Sequence, residues 1–157
     1  INSASKLEII SRVGIGLDSV DLSAAKARGV KVSYTPDAPA PAVAELTVGL
    51  MISLLRGIHS ANLQFREGIW RRHFGRRIPE VTIGVIGCGR IGGRVIRRLS
   101  GFGSPRVLVN DLIPEPNVAN SLKIAWVDKE TIYRESDVVT LHVPLTANTR
   151  YLVGERE

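Results

Sequence analysis

Three glycines, Gly87, Gly89 and Gly92, form the pattern G-x-G-x-x-G within the stretch VIGCGRIGGRVIRRL. A backbone without side chains at these positions could bind a phosphate or allow a tight packing contact, or the pattern could arise by chance. A strand before the glycines and a helix after them favour a phosphate. The first glycine then permits a tight turn, the second lets the backbone approach a pyrophosphate, and the third lets the helix pack on the strand. The N–H groups and the positive end of that helix would face the phosphates.

Two charged residues near the glycines fit the same chemistry. Asp111 ends the stretch RVLVND, 19 residues after Gly92, where a carboxylate could accept hydrogen bonds from a ribose diol. Its alternative role is to form a turn before LIPEP. Arg90 would lie at the apex of the loop, where its backbone and side chain meet phosphate, or it is a solvated arginine of the first helical turn. We expect Arg94, Arg97 and Arg98 to form only the solvated face of the helix. Nucleotide binding is the favoured interpretation.

The elements that must position these residues alternate between strands and helices. Continuous apolar strands separated by helices indicate a parallel sheet covered on both faces, and hence the α/β class. The predicted strands are VTIGVIG, RVLVND, KIAWV and DVVTLHVPL; the predicted helices cover about residues 90–100 and 129–136, and PEPN is a predicted turn.

A separate β-α-β unit is predicted at the start of the chain. LEIISRVG is typical of a buried strand, VKVSYTP is a second strand, and DSVDLSAAKARGV between them is a helix. Asp18 or Asp21 can cap the start of this helix, and Gly29 suits its end. The proline-rich PDAPAP, residues 36–41, then forms a stiff joint and a candidate domain boundary.

One long helix is predicted over about residues 42–64. It is apolar around most of its circumference, which indicates burial on more than one side, between two domains or in a dimer. Gly49 and Gly57 are costly inside a helix and suggest close packing there.

Composition narrows the class of protein and its partners. The net charge of +6 is concentrated in REGIWRRHFGRR, residues 66–77. A solvated basic connector is favoured over a nucleic-acid site with Trp70 and Phe74 as stacking residues, because no nucleic-acid motif surrounds them. The single cysteine, Cys88, excludes a disulfide framework, and no metal site is predicted. A reducing compartment such as the cytoplasm is therefore expected. The sequence contains no run of about 18 apolar residues, so no membrane span is predicted.

Four stretches occur in an order that resembles the D-isomer-specific 2-hydroxyacid dehydrogenases: SRVGIGLDSVDL, AVAELTVGLMISLLR, TIGVIGCGRIGGRV and DVVTLHVPLTANTRYLVG. The resemblance implies two doubly wound α/β domains. Residues 1–36 would be the last β-α-β of a flavodoxin-like substrate domain. Residues 37–157 would be the N-terminal part of a Rossmann-type NAD-binding domain, whose long helix contributes to a homodimer.

The same resemblance implies roles for individual residues. NAD would be the cofactor, with its pyrophosphate at Arg90 and Ile91 and its adenosine ribose at Asp111. The adenine side would be lined by residues at and beyond the end of the last predicted strand: His142, Val143, Pro144 and Thr149. From the residues alone, His142 is a polar residue at a strand end and Pro144 terminates that strand. Leu112, Ile113 and Pro114 offer no cation for a 2′-phosphate, which predicts NAD over NADP.

The implied reaction is hydride transfer between NAD(H) and a D-2-hydroxy acid or 2-keto acid. The family's catalytic Arg, Glu and His are expected beyond Glu157, so no catalytic residue is predicted here, and these 157 residues alone are expected to be inactive. Pro39 stands where the family often has Asn, which disfavours formate as substrate. The alternative function is an NAD-sensing regulator, similar to the corepressors that share this architecture.

Overall fold

In the computed structural model, which describes residues 1–114 and 124–157, the chain forms two parallel sheets. The first pairs β1 (Ile9–Arg12) with β2 (Lys31–Tyr34), and α1 (Leu22–Ala27) connects them. The second contains β3 (Thr82–Ile86), β4 (Arg106–Asn110), β5 (Ile124–Trp126) and β6 (Val138–Leu141). The predicted turn PEPN, apart from its first residue Pro114, lies outside the described residues.

The larger sheet has the strand order β5-β4-β3-β6, with every pair parallel. The chain builds outwards from β3 in one direction through β4 and β5, and then crosses to the other side of β3 to form β6. The helices α4 (Gly92–Leu99) and α5 (Lys129–Glu135) follow β3 and β5. This reversal of direction is the defining feature of a doubly wound sheet, and it creates a crevice where β3 and β6 end. The predicted α/β class is confirmed.

The core of the molecule surrounds the two central strands of this sheet. Seven of the ten residues of β3 and β4 are buried, because α4 covers one face of the sheet and α5 covers the other. Burial on both faces explains the continuous apolar runs in the sequence. The largest side chains in this core are Ile83, Ile96, Leu99, Leu108 and Ile132.

The β1–α1–β2 unit has the predicted connectivity but a different environment. The side chain of Asp21 caps α1 by accepting a hydrogen bond from the backbone N–H of Ala24, and Gly29 has the left-handed φ of 68° just beyond the helix end. No residue of β1 or β2 is buried, and Ile9 is 54% exposed. The prediction that LEIISRVG is a buried strand is therefore wrong within the described residues, where α1 packs on this sheet but leaves no residue of either strand buried.

The predicted single helix over residues 42–64 is also wrong. The segment forms α2 (Ala40–Arg56) and α3 (Ile58–Arg66), which meet at a bend of 64°. Gly57 causes the break because its left-handed φ of 61° ends α2, and the side chain of His73 packs against it. At Gly49 an added Cβ would contact nothing within 4 Å, so the close packing suggested there is not observed.

Length and hydropathy give one further result for these helices. In the described residues no single helix is both long enough and apolar enough to cross a membrane, and α2 with α3 meets those criteria only as a bent pair.

Packing of α2 against α4 involves one arginine that we expected to be solvated. Arg98 donates hydrogen bonds to a carboxylate oxygen of Glu45, at 3.1 Å, and to the backbone oxygen of Pro41, at 3.3 Å. Arg98 therefore connects α4 to the first turns of α2. The prediction that it belongs only to a solvated face is wrong, because its partners lie more than 50 residues earlier in the chain.

Candidate nucleotide-binding site

The first and third glycines of the loop are required by packing. Gly87 has a φ of 93°, and a Cβ added there would come within 2.6 Å of the backbone oxygen of His142. A Cβ at Gly92 would overlap the carbonyl oxygen of Gly87. These contacts place the start of α4 directly against the end of β3 and β6. They agree with a tight turn at Gly87 and close helix–strand packing at Gly92.

Gly89, the second glycine, differs from the other two because the protein leaves space around it. It is exposed, and a Cβ added there would meet nothing within 4 Å. The backbone N–H groups of Gly89, Arg90 and Ile91 donate no hydrogen bond within residues 1–114 and 124–157. Open space beside unused N–H groups just before a helix is a cradle for an anion. The residues present therefore fit the pyrophosphate of a dinucleotide.

Asp111 lies at this cradle, at the end of β4. One of its carboxylate oxygens accepts a hydrogen bond from the backbone N–H of Cys88 at 2.6 Å, and the other accepts from Ile113 at 3.3 Å. Asp111 thus forms the turn before LIPEP that was its alternative predicted role, and it also contacts the glycine loop. Its side chain is half-buried, while Leu112 and Ile113 beyond it are 99% and 81% exposed. No positive charge follows Asp111 within these residues.

His142 and Val143 extend the site beyond β6. The backbone N–H of His142 donates to the oxygen of Ile86 at 2.7 Å, and its imidazole is hydrogen-bonded to the hydroxyl of Thr140 at 3.0 Å. Burial lowers the pKa of the His142 imidazole, because it disfavours the charged form of the ring. Val143 packs on the small cluster around Leu108 and Ile132. Both residues lie against Gly87, since a Cβ added at Gly87 would meet the backbone oxygen of His142 and the side chain of Val143.

Pro144 and Thr149 form a compact loop next to this region. The hydroxyl of Thr149 donates to the backbone oxygen of Pro144 at 2.5 Å and accepts from the N–H of Thr146 at 2.8 Å. Thr149 thereby closes the loop on itself. In the part of the chain that the structure describes, no hydrogen bond connects Thr149 with the glycine loop.

Two contacts of the site were not predicted. The backbone N–H of Cys88 binds Asp111, and the guanidinium of Arg90 binds Asp37 of the proline-rich joint at 2.8 Å. The first follows from the pairing of β3 with β4, so the strand prediction contained the signal for it. The second joins residues 53 positions apart, and no local pattern indicates it. Within the described residues, no group of three or more His, Cys, Asp or Glu side chains could hold a metal ion.

A doubly wound sheet, a glycine cradle at its switch point and an acidic residue at the end of the neighbouring strand define a dinucleotide-binding domain. Comparison with known families gives the same class. Residues 48–157 match the family described as D-isomer specific 2-hydroxyacid dehydrogenase, NAD binding domain. The chain belongs to this family.

Individual relatives agree with the family match. The chain is 41% identical to a hydroxypyruvate reductase of Thermotoga maritima, over 98% of this chain and 50% of that protein. It is 39% identical to a D-3-phosphoglycerate dehydrogenase of Methanocaldococcus jannaschii, over 100% of this chain and 30% of that protein. The chain thus spans half or less of the length of these curated relatives.

A solved structure supports the fold. The D-lactate dehydrogenase from Aquifex aeolicus, complexed with NAD and lactic acid, superimposes with a TM-score of 0.80 at 30% identity, covering 92% of this chain and 44% of that one. The predicted family, the Rossmann-type fold and NAD as the family's cofactor are confirmed. These three relatives are all named as reductases or dehydrogenases, and the corepressor-like alternative finds no support among them.

Proposed function

We propose that the protein containing this chain is an NAD-dependent oxidoreductase that transfers a hydride between NAD(H) and a small D-2-hydroxy acid or 2-keto acid. The observation that carries the proposal is the open cradle at Gly89, with Asp111 in direct contact with the adjacent N–H of Cys88. Similarity to named reductases and dehydrogenases supports the reaction class.

Each element of the cradle has a proposed task. The N–H groups of Gly89, Arg90 and Ile91 bind the pyrophosphate, and Gly87 and Gly92 let the backbone come close enough to do so. Asp111 accepts hydrogen bonds from the adenosine ribose. The residues proposed for the adenine side, His142, Val143, Pro144 and Thr149, extend the site along the neighbouring strand end. When bound, the nicotinamide supplies the hydride chemistry, and this chain orients the cofactor.

Two structural units support the proposed domain organisation. Residues 1–36 contain the two-stranded sheet, and residues 37–157 contain the four-stranded sheet, so the joint at residues 36–41 separates two independent sheets. We assign the first unit to a substrate domain and the second to the NAD-binding domain.

A homodimer through α2 is the proposed assembly. Leu46, Leu50 and Leu54 are exposed and lie four residues apart, so they share one apolar face of the helix. Trp70 and Phe65, which contact each other edge to face, are exposed nearby in sequence. Sedimentation velocity of the intact protein should give a dimer, and Leu50→Glu should shift it towards monomer. A monomeric wild type would contradict this assembly.

The low cysteine content supports the cytoplasm as the proposed location.

The reaction is tested by mixing the intact protein with NADH and a panel of 2-keto acids, including hydroxypyruvate, glyoxylate and pyruvate, while following loss of the reduced nicotinamide. Gly89→Val tests the cradle. A Cβ added at Gly89 meets no protein atom within 4 Å, so the valine should leave the fold intact while it fills the proposed pyrophosphate position. Turnover by the wild type and its loss in a folded Gly89→Val variant are expected. A folded wild type that binds NADH but turns over none of the acids would exclude the proposed reaction.

A further inference from the structure

An ion pair connects the glycine loop with the joint between the two sheets. The Nε atom of Arg90 lies 2.8 Å from a carboxylate oxygen of Asp37, and the side chains are 54% and 66% exposed. Arg90 is at the apex of the loop, whereas Asp37 is the second residue of the proline-rich joint. The pair therefore brings a residue from outside the β3–α4 motif to the candidate nucleotide site.

The backbone around Asp37 is fixed on both sides. Its carbonyl oxygen accepts a hydrogen bond from Ala40 at 3.2 Å, which forms a turn into α2, and Thr35 donates to the oxygen of Gly14 at 3.3 Å. Pro36 and Pro39 further restrict the chain. Because the backbone is already constrained, the contact between the Asp37 carboxylate and Arg90 costs side-chain entropy but little further backbone entropy.

The geometry at Arg90 leaves part of its guanidinium unused. Only Nε binds Asp37, and neither terminal amino group of Arg90 forms a hydrogen bond within the described residues. The backbone oxygen of Arg90 is held separately, by the guanidinium of Arg94 at 2.6 Å. A guanidinium has several N–H donors in a rigid plane, so it can bind a carboxylate through Nε and a phosphate through its two terminal groups.

We propose that Asp37 is a positioning residue for the dinucleotide: it holds the Arg90 guanidinium so that its terminal groups bind the pyrophosphate. The inference rests on the proposed NAD site. It means that the joint between the two units contributes to cofactor affinity, although no joint residue belongs to the glycine motif.

A competing arrangement makes the opposite prediction. If phosphate had to displace Asp37 from Nε, removal of the carboxylate would tighten nucleotide binding. The contact through Nε alone favours simultaneous binding, since both terminal amino groups remain available without breaking the pair. The sign of the change in affinity therefore distinguishes the two arrangements.

The experiment measures dissociation constants of the intact protein by titration calorimetry for NAD, ADP and adenosine. Asp37→Ala and Asp37→Asn should weaken NAD and ADP by about two- to fivefold, the range of an exposed ion pair. Adenosine, which has no phosphate, should bind unchanged. In an Arg90→Ala background, Asp37→Ala should have no further effect, and Asp37→Glu in the wild-type background should restore part of the loss.

Glu45→Gln is the matched control. Glu45 also pairs with an arginine of α4, Arg98, but that arginine is two helical turns beyond the loop. This variant should leave all three affinities unchanged. Unchanged or tighter NAD binding in Asp37→Ala, additive effects with Arg90→Ala, or equal losses for adenosine would overturn the inference. Failure of the wild type to bind NAD would instead reject the proposed function.

Discussion

The two parallel sheets of this chain have similar local sequences but different surroundings. The central strands β3 and β4 are buried on both faces, whereas β1 and β2 contain no buried residue. Both regions show apolar runs bounded by glycine or proline, and both form parallel pairs through a connecting helix. An apolar run therefore predicts strand formation, but it does not predict how many layers will cover the strand.

The difference follows from what packs on each sheet. Helices α4 and α5 cover opposite faces of the larger sheet, and α2 packs on α4. In the described residues, the smaller sheet packs against α1, and none of its strand residues is buried. Apolar area removed from water stabilises a fold by roughly 25 cal/mol per Å². Most of this stabilisation must therefore come from the larger sheet.

The largest expected effect tests this contrast directly. Leu108→Ala, in the fully buried β4, should lower the free energy of unfolding by about 2–5 kcal/mol, because it leaves a cavity between α5 and the sheet. Ile9→Ala, in the exposed β1, should cost less than about 1 kcal/mol. Chemical denaturation of both variants gives the comparison. Equal losses would show that the smaller sheet is as well covered as the larger one.

Removing the third glycine should have the next largest effect. Gly92→Ala places a Cβ against the carbonyl oxygen of Gly87, and backbone cannot move aside cheaply, so we expect a loss of about 3 kcal/mol in unfolding free energy. Gly89→Ala, whose Cβ meets nothing within 4 Å, should retain stability. Thermal denaturation separates the two variants. A stable Gly92→Ala protein would contradict the packing role assigned to this glycine within the covered sheet.

The sequence predicted the features of this site that depend on local pattern. The tight turn at Gly87, the close approach at Gly92 and the strand-end position of Asp111 all follow from the spacing of residues within one β-α-β motif. The break at Gly57 also has a local signal, which the prediction of a single helix did not use, because glycine is favoured in the left-handed conformation that ends a helix. The partners of Arg90 and Arg98 lie more than 50 residues away. Tertiary packing, not local preference, selects those partners.

Substitution of Asp111 tests whether the edge of the larger sheet can be altered without weakening the core of that sheet. Asp111→Ala should reduce the preference for NAD over NADP by about 10- to 100-fold, corresponding to one hydrogen bond to a charged group worth about 1.5–3 kcal/mol. Calorimetric titration with both dinucleotides measures the preference. Asp111→Asn is the conservative control, which retains a hydrogen-bond acceptor without the charge. An unchanged preference in Asp111→Ala would exclude the ribose role.

The smallest expected effect concerns pH. Burial lowers the pKa of His142 in the folded protein below its ordinary value of 6.5, so the unfolded chain takes up a proton at a higher pH than the folded one. Stability conferred by the neutral ring is therefore complete above pH 6.5 and is lost as the pH falls through 6.5 towards the folded pKa. The melting temperature should fall between pH 7.5 and 5.5, and less so in His142→Gln. Identical pH profiles would contradict this contribution.

The exposed side chains after Asp111 have a consequence for how this protein can evolve. Leu112 and Ile113 extend into solvent, so replacing either with arginine removes almost no packing. Gly87 and Gly92, by contrast, tolerate no change, because each faces backbone. Evolution or a protein engineer can therefore vary residues 112 and 113 independently of the scaffold, whereas Asp111 also binds the backbone N–H of Cys88 in the glycine loop.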